Sequence, residues 1–173
     1  MDQLLLLLAL HGGAQTTSFL GDGDDGSGYR GPRFEAEGLV QPKPWFAVGL
    51  AASYSHATER GPEPDVIDGP DYEMTNAVTF ASVGIRAYLE SEYVFLGVGV
   101  WSTWDRDAFS AMGVTSSNWG RFISPDVIVG GNVSRFGDYR VQLMADAALA
   151  RPGFADDVIQ LSVMLGVQRV SRL

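Results

Sequence analysis

The sequence contains no cysteine. This absence excludes a disulfide framework, a thiolate nucleophile and a zinc site built on cysteine, and it excludes redox chemistry through thiols. Side-chain packing and backbone hydrogen bonds must therefore hold the fold together.

Positive charge is also scarce in this chain. Lys43 is the single lysine, and the formal net charge is −9. Affinity for nucleic acid requires clustered Lys and Arg side chains, which this sequence does not supply. We therefore expect no nucleic-acid partner.

Long hydrophobic runs are missing as well. The longest apolar stretch, LLLLLAL at residues 4–10, has seven residues, whereas a membrane-spanning helix needs roughly 20. The stretch is similar to the apolar core of a secretory signal, with Gly12 and Ala14 as small residues ahead of a cleavage site, although Asp2 stands where Lys or Arg is expected. Residues 1–14 are thus either a signal-peptide remnant or part of a strand.

Glycine and aromatic residues are abundant. The 173 residues include 21 Gly, 9 Phe, 6 Tyr and 4 Trp, and 46% of the chain is hydrophobic. This mixture favours strands and turns. The length suits one domain with its own core, so residues 1–173 are interpreted as a single domain.

Apolar residues recur with a period of two from Phe34 onward, which is the spacing of strands. Residues 157–171 show it well, because Ile159, Leu161 and Val163 alternate with Gln160 and Ser162. Seven strands are predicted in this way. They centre on residues 33–40, 45–54, 77–86, 96–101, 126–133, 139–149 and 157–171.

The connections between these strands alternate between short and long. Short connections are predicted at residues 41–44, 90–92 and 136–138, and long ones at residues 21–31, 58–74, 105–117 and 151–156. This order predicts an up-and-down meander with short turns at one end and long loops at the other. Closure with an even number of strands requires an eighth strand within residues 3–19, paired with residues 33–40 and residues 158–171.

Three strand segments resemble those of the small bacterial outer-membrane β-barrel family of the eight-stranded type. They are PKPWFAVGLAASYSH, EYVFLGVGVWSTW and VIQLSVMLGVQRV. The resemblance implies an all-β fold, a closed up-and-down antiparallel transmembrane barrel in the bacterial outer membrane, with membrane lipid as a partner. Members of this family usually end in an aromatic residue, whereas this chain ends in Arg172-Leu173.

Successive side chains of a strand point to opposite faces of the barrel wall, and we call this alternation parity. Lipid requires apolar side chains outside, so Leu143, Val163 and Leu165 are predicted to face outward. Aromatic girdles are predicted at the short turns and at the long loops; the residues are Trp45, Phe46, Tyr93 and Tyr139 at the turns, and Tyr54, Trp104 and Trp119 at the loops. The lumen is predicted to hold a polar network, with Arg86 and Arg140 contacting the carboxylates. Its members are Glu35, Glu37, Arg86, Asp126, Arg140 and Asp146.

Chemistry-bearing motifs are weak. GDGDDGSG at residues 21–28 departs from a calcium loop, because Gly26 stands at a ligand position and the final glutamate is missing. Residues 58–74 are acidic and could share divalent cations with lipid headgroups, although a solvated segment is the simpler interpretation. His11 and His56 are interpreted as rim residues, since Ser53 and Ser55 share the face opposite to His56. We predict no catalytic, cofactor-binding or metal-ligating residue, and no enzyme activity.

The function that best fits this pattern is a structural or interaction role for an outer-membrane barrel with a side-chain-filled lumen and acidic outer loops. One alternative is a soluble lipocalin-like barrel that binds a ligand inside. The other is a membrane-embedded lipid-modifying enzyme that depends on His56. The sequence does not identify a protein partner or a ligand.

Overall fold

The computed structural model describes residues 4–19, 28–62, 73–111, 114–150 and 158–172, which form eight strands. The strands are β1 (Leu5–Phe19), β2 (Gly28–Lys43), β3 (Phe46–Pro62), β4 (Glu73–Glu90), β5 (Val94–Ala111), β6 (Val114–Phe136), β7 (Tyr139–Ala150) and β8 (Val158–Arg172). No helix within these ranges is long and apolar enough to cross a membrane.

The strands close into one antiparallel barrel in chain order. Closure depends on β1, which pairs with β2 from Leu5↔Gln41 to Ser18↔Gly28 and with β8 from Leu5↔Arg172 to Phe19↔Val158. The prediction of an eighth strand within residues 3–19 is therefore confirmed. A strand at this position gives β2 and β8 a pairing partner, and in lipid each unpaired backbone group would cost several kcal/mol.

The predicted short turns are confirmed at one end of the barrel. They lie at residues 44–45, 91–93 and 137–138, and we call this the turn end. Gly137 has a φ of 59°, which an L side chain rarely adopts, so the turn at residues 137–138 requires glycine. The opposite end, where the longer connections lie, is the loop end.

The prediction of a long loop at residues 105–117 is wrong. β5 continues to Ala111, β6 begins at Val114, and the two remain paired up to Ala111↔Val114. Residues 114–119 are exposed on both faces. A ribbon that stands in water on both sides has no need of apolar alternation, so the period-two pattern does not detect it.

Residues 58–74 are shorter as a loop than expected, because β3 extends to Pro62 and β4 begins at Glu73. Most of the acidic segments 21–28 and 58–74 lies outside the described residues. Cation binding by these segments stays a prediction, and no described residue supports it.

The outer face of the barrel is apolar. Leu143, Val163 and Leu165 point outward as predicted, with 47%, 59% and 57% of their surface exposed. A soluble barrel would bury these side chains, so the lipocalin-like alternative is wrong. The same band includes Leu10, Leu50, Ile85, Leu96, Val98, Val100, Val127, Val129, Leu161 and Val167.

Aromatic side chains frame this band at both ends. Trp45, Tyr93 and Tyr139 are exposed near the turn end. Tyr54, Trp104 and Trp119 are exposed toward the loop end. Aromatic girdles of this kind mark the two interfaces of a bilayer in transmembrane barrels.

Two apolar clusters pack inside the barrel. The cluster at the turn end contains Leu7, Leu39, Ala47, Tyr88, Phe95, Ile128, Met144 and Met164. The cluster at the loop end contains Tyr29, Ala57, Val78, Phe80, Phe122 and Val158. The leucine run is thus divided between the faces, because Leu7 fills the lumen beside Leu39 and Met164, while Leu8 and Leu10 face outward.

Candidate functional site: the lumen ion-pair cluster

Arg86 lies at the centre of the lumen, and none of its surface is exposed. Its Nη2 donates to Asp126 Oδ2 at 2.7 Å and to Asp146 Oδ2 at 3.1 Å, and its Nε donates to Asp126 Oδ2 at 3.1 Å. Its Nη1 donates to Glu37 Oε1 at 2.8 Å and to Glu35 Oε1. One guanidinium group therefore joins carboxylates from three other strands, with its five N–H donors directed at acceptors.

Arg33 adds a second cation to the cluster. Its Nη2 lies 3.1 Å from Glu35 Oε2 and 3.0 Å from Asp146 Oδ2, and its Nη1 donates to Ser162 Oγ at 2.9 Å. The set predicted from the sequence omitted Arg33, although parity on β2 already placed it on the same face as Glu35. We call Arg33, Arg86, Glu35, Glu37, Asp126 and Asp146 the ion-pair cluster.

Trp101 and Tyr88 complete the surroundings of Arg86. The ring of Trp101 lies 4.5 Å from Arg86 Cζ and 5.8 Å from Arg33 Cζ, so both cations lie over its face. The hydroxyl of Tyr88 donates to Glu37 Oε1. Tyr88 follows Arg86 by two residues on β4 and Trp101 lies on the adjacent strand β5, so alternation puts both rings on the inward face, whereas their contact with one guanidinium is seen only in the structure.

The predicted partners of Arg140 are wrong. Arg140 faces inward near the turn end and forms its ion pair with Glu90, at 3.7 Å. It lies six residues from Asp146 along β7, which at about 3.4 Å per residue is roughly 20 Å. The alternation along β7 correctly predicted that Arg140 faces inward. Its ion-pair partner depends on its position along the barrel axis, which alternation does not give.

Glycines make room for the cluster. A Cβ on Gly99 would lie 2.8 Å from Arg86 Cγ and would overlap Asp126. A Cβ on Gly97 would lie 2.6 Å from the ring of Tyr88. These glycines therefore allow close packing in a small barrel.

The two histidines lie on opposite faces of the wall. His11 is buried in the lumen, with Nε2 at 3.2 Å from Gln142 Oε1, so its interpretation as a rim residue is wrong. His56 is exposed outside, and its Nδ1 lies 2.9 Å from Thr79 Oγ1. Ser55 is buried on the lumen side, as parity predicted, so it cannot act with His56 as a nucleophile.

A second feature lies at the loop end, on β6. β7 pairs with β6 from Asp126↔Ala148 toward the turn end. Among the described residues, residues 114–125 of β6 pair with β5 alone. We call residues 114–125 the β6 edge; at about 3.4 Å per residue it is about 40 Å long.

Solved structures share this fold, whereas no family model and no curated protein matches the chain. Ail, the attachment invasion locus protein of Yersinia pestis, is similar over 99% of this chain and 100% of its own, at 16% identity and a TM-score of 0.59. Ail in complex with the heparin analogue sucrose octasulfate gives 14% identity and a TM-score of 0.58 over the same shares of the two chains. Neisserial surface protein A (NspA) gives 13% identity and a TM-score of 0.55, covering 95% of this chain and 96% of its own.

These likenesses agree with the physical character of the wall. A closed antiparallel barrel with an apolar band outside, two aromatic girdles and charge inside is suited to lipid rather than water. The chain has the eight-stranded antiparallel barrel fold of Ail and NspA.

Proposed function

We propose that this outer-membrane barrel has an interaction role, that it contacts extended segments of other proteins through the β6 edge, and that it is neither a channel nor an enzyme. The observation that carries the proposal is the pairing of residues 114–125 with β5 alone among the described residues. A strand edge presents a row of N–H and C=O groups to which a further strand can add.

The side chains of the β6 edge suit such an addition. Thr115, Ser116, Ser117 and Asn118 are small, polar and exposed, so an incoming strand meets little steric opposition. Pro125 is the residue before the first pair with β7, and proline has no N–H to donate to a ladder. Main-chain hydrogen bonds would supply affinity, and alternate side chains would supply selectivity.

Charge limits the class of partner. The connecting segments at the loop end are acidic in sequence, with Glu63, Asp65, Asp68 and Asp71 in one of them, and the whole chain carries −9. Ail is known in complex with a sulfated heparin analogue. For this chain, repulsion between like charges favours a neutral or basic polypeptide over a sulfated polyanion.

Two proline substitutions test the β6 edge, Ser116→Pro and Ser117→Pro. Consecutive N–H groups of a strand point to opposite sides, so one substitution removes a donor from the β6 edge and the other removes a donor that faces β5. The protein in lipid nanodiscs is used to select binders from a displayed library of random 12-residue peptides. Binding of the selected peptides by both variants at wild-type affinity would contradict the proposal.

The expected result is that one variant keeps the wild-type thermal stability and loses peptide binding at least tenfold. Heparin-coated beads serve as the polyanion control, and we expect no retention of the wild-type protein on them. If binding is lost only in the variant that also destabilises the hairpin of β5 and β6, the loss is an effect of folding. That result would contradict peptide binding at the β6 edge.

A closed lumen is the second part of the proposal. Cavities of about 10 Å³ lie on both sides of the ion-pair cluster, each with space for about one water molecule. Eight strands leave an interior that side chains just fill. We expect no conductance above that of the lipid alone when the protein is inserted in planar bilayers. Stable single-channel steps would show that the lumen conducts and would overturn this part.

A further inference from the structure

His11 lies beside two carboxylates of the ion-pair cluster. It faces inward on β1, directly opposite Glu35 on β2 and Gly166 on β8. A ring nitrogen of His11, one oxygen of Glu35 and one oxygen of Glu37 all lie within 4.8 Å of one another. All three side chains are buried, and 4% of the surface of His11 is exposed.

A chain of hydrogen bonds fixes the tautomer of His11. Asn132 Nδ2 donates to the backbone carbonyl of Glu92 at 3.0 Å, and a carbonyl can only accept. Asn132 Oδ1 therefore accepts from Gln142 Nε2 at 3.2 Å, which directs Gln142 Oε1 toward His11 Nε2 at 3.2 Å. Nε2 must carry the proton in this contact, so the neutral ring has its lone pair on Nδ1.

The lone pair of His11 lacks a hydrogen-bond donor. Nδ1 is buried and has no hydrogen-bond partner within the described part of the chain. Glu35 and Glu37, each with an oxygen within 4.8 Å of a ring nitrogen of His11, are acceptors when ionised, so the three side chains bring acceptor atoms together. Such a convergence calls for a cation.

The charge of the ion-pair cluster points the same way. Its four carboxylates face the two guanidinium groups of Arg33 and Arg86, which leaves an excess of two negative charges when all are ionised. Buried charge is tolerated when it is compensated. A divalent cation supplies the missing two charges without displacing Arg86, because each carboxylate oxygen has two lone pairs.

We propose that the lumen binds one divalent first-row transition-metal ion through His11 Nδ1 and the carboxylates of Glu35 and Glu37. Imidazole nitrogen together with carboxylate oxygen suits Zn²⁺ and its neighbours in the first row. The contact from Gln142 orients the imidazole from its other nitrogen, as outer partners of metal ligands commonly do. The ion ties β1 to β2.

A route to the site leads from the turn end. A cavity of about 10 Å³ is lined by Glu37, Gln142, Tyr88 and Glu90, among others, and lies on the turn side of the ion-pair cluster. Glu90 and Arg140 close it toward the mouth, and 19% of the Arg140 side chain is exposed there. An ion would thus enter past the ion pair of Glu90 and Arg140, which is in contact with solvent.

The test compares the two histidines of the chain. Protein without a histidine tag is folded in detergent, stripped with a chelator and titrated with Zn²⁺ by calorimetry. We expect one Zn²⁺ per barrel for the wild type and for His56→Gln, and at least a tenfold lower affinity for His11→Gln. Absence of Zn²⁺ binding by the wild type, or equal binding by the two variants, would overturn the proposal.

The shift in gel mobility on heating shows whether His11→Gln is folded. If it is not, two further measurements keep the test decisive. Gln142→Met keeps all three ligands and removes the contact that orients His11, so we expect an affinity about 10- to 100-fold lower than that of the wild type. X-ray absorption at the zinc edge of the wild-type complex should show one imidazole nitrogen and oxygen neighbours. A spectrum without imidazole, or an unchanged affinity in Gln142→Met, would contradict the assigned ligands.

Discussion

Every strand contributes to both the inner and the outer face of the barrel wall. The two faces differ in how much stability a substitution removes. On β4, Arg86 faces inward among four carboxylates, while its neighbour Ile85 faces outward with 60% of its surface exposed. The outer face has to be apolar, and many aliphatic residues meet that demand. The inner face requires particular side chains at particular heights, so specificity resides inside the barrel.

This difference arises from the solvent on each side. Lipid provides no hydrogen bonds, so the outer face is apolar, whereas polar groups buried in the lumen need hydrogen-bond partners or compensating charges. Removing one group from a buried network leaves its partners uncompensated. Removing one methyl group from the lipid face leaves lipid in its place.

The largest expected effect is that of Arg86→Leu. Four carboxylates would then share only Arg33, and breaking a buried charge pair costs about 3–5 kcal/mol. We expect the free energy of unfolding to fall by about that amount in urea titrations of the protein in lipid vesicles, followed by far-UV circular dichroism. Arg106→Leu, an arginine that faces outward at the loop end, is the matched control and should change stability by about 1 kcal/mol or less. Equal losses in the two variants would remove the distinction between the faces.

The second prediction concerns charge on the outer face. Val163 lies midway along β8 and points into lipid, so Val163→Arg should cost about 2–4 kcal/mol. Ser117→Arg, on the exposed β6 edge, should change the free energy of unfolding by about 0.5 kcal/mol or less. The same urea titration measures both. A neutral Val163→Arg would mean that this band does not contact hydrocarbon.

The sequence predicted which face each strand residue takes, because a two-residue period is a local property of the backbone. It also predicted β1, since closure is a global demand that seven strands cannot meet. Alternation does not show which leucines of β1 face inward, because residues 4–8 are apolar on both faces. Only the need for two pairing partners identified this segment as a strand.

The sequence could not predict height in the barrel. Alternation along the strands predicts the wrong carboxylates for Arg140, including Asp146 six residues away, because it contains no information about shear between strands. Contacts to Arg86 from β2, β6 and β7 depend on that shear, and so does the meeting of His11 with Glu37. The sequence shows which residue types face the lumen. Which of them come into contact can be seen only from the register between the strands.

The third prediction compares two glycines on opposite faces. Gly99→Ala would place a Cβ against Asp126 and Arg86 in the lumen, and overpacking of this kind costs about 1–3 kcal/mol. A Cβ on Gly12 would lie 3.6 Å from the ring of Phe34, which is an ordinary contact on the outer side. We expect Gly12→Ala to stay within about 0.5 kcal/mol of the wild type. Thermal unfolding of both variants in the same detergent decides the comparison, and a larger loss in Gly12→Ala would reverse it.

The smallest expected difference between the two faces concerns their cation–π pairs. Arg106 Cζ lies 5.5 Å from the ring of Trp119 outside the barrel, whereas Arg86 Cζ lies 4.5 Å from the ring of Trp101 in the buried lumen. Water and ions screen the outer pair, so a double-mutant cycle with Arg106→Leu and Trp119→Leu should give a coupling energy of about 0.5–1 kcal/mol. The same cycle on Arg86 and Trp101 should give about 2 kcal/mol or more, because that pair is desolvated. Raising the salt concentration should weaken the outer coupling and leave the inner one unchanged, since screening acts on exposed charges. An outer coupling as large as the inner one would remove the difference in screening between the faces, and an inner coupling that falls with salt would show that the lumen is open to the solvent.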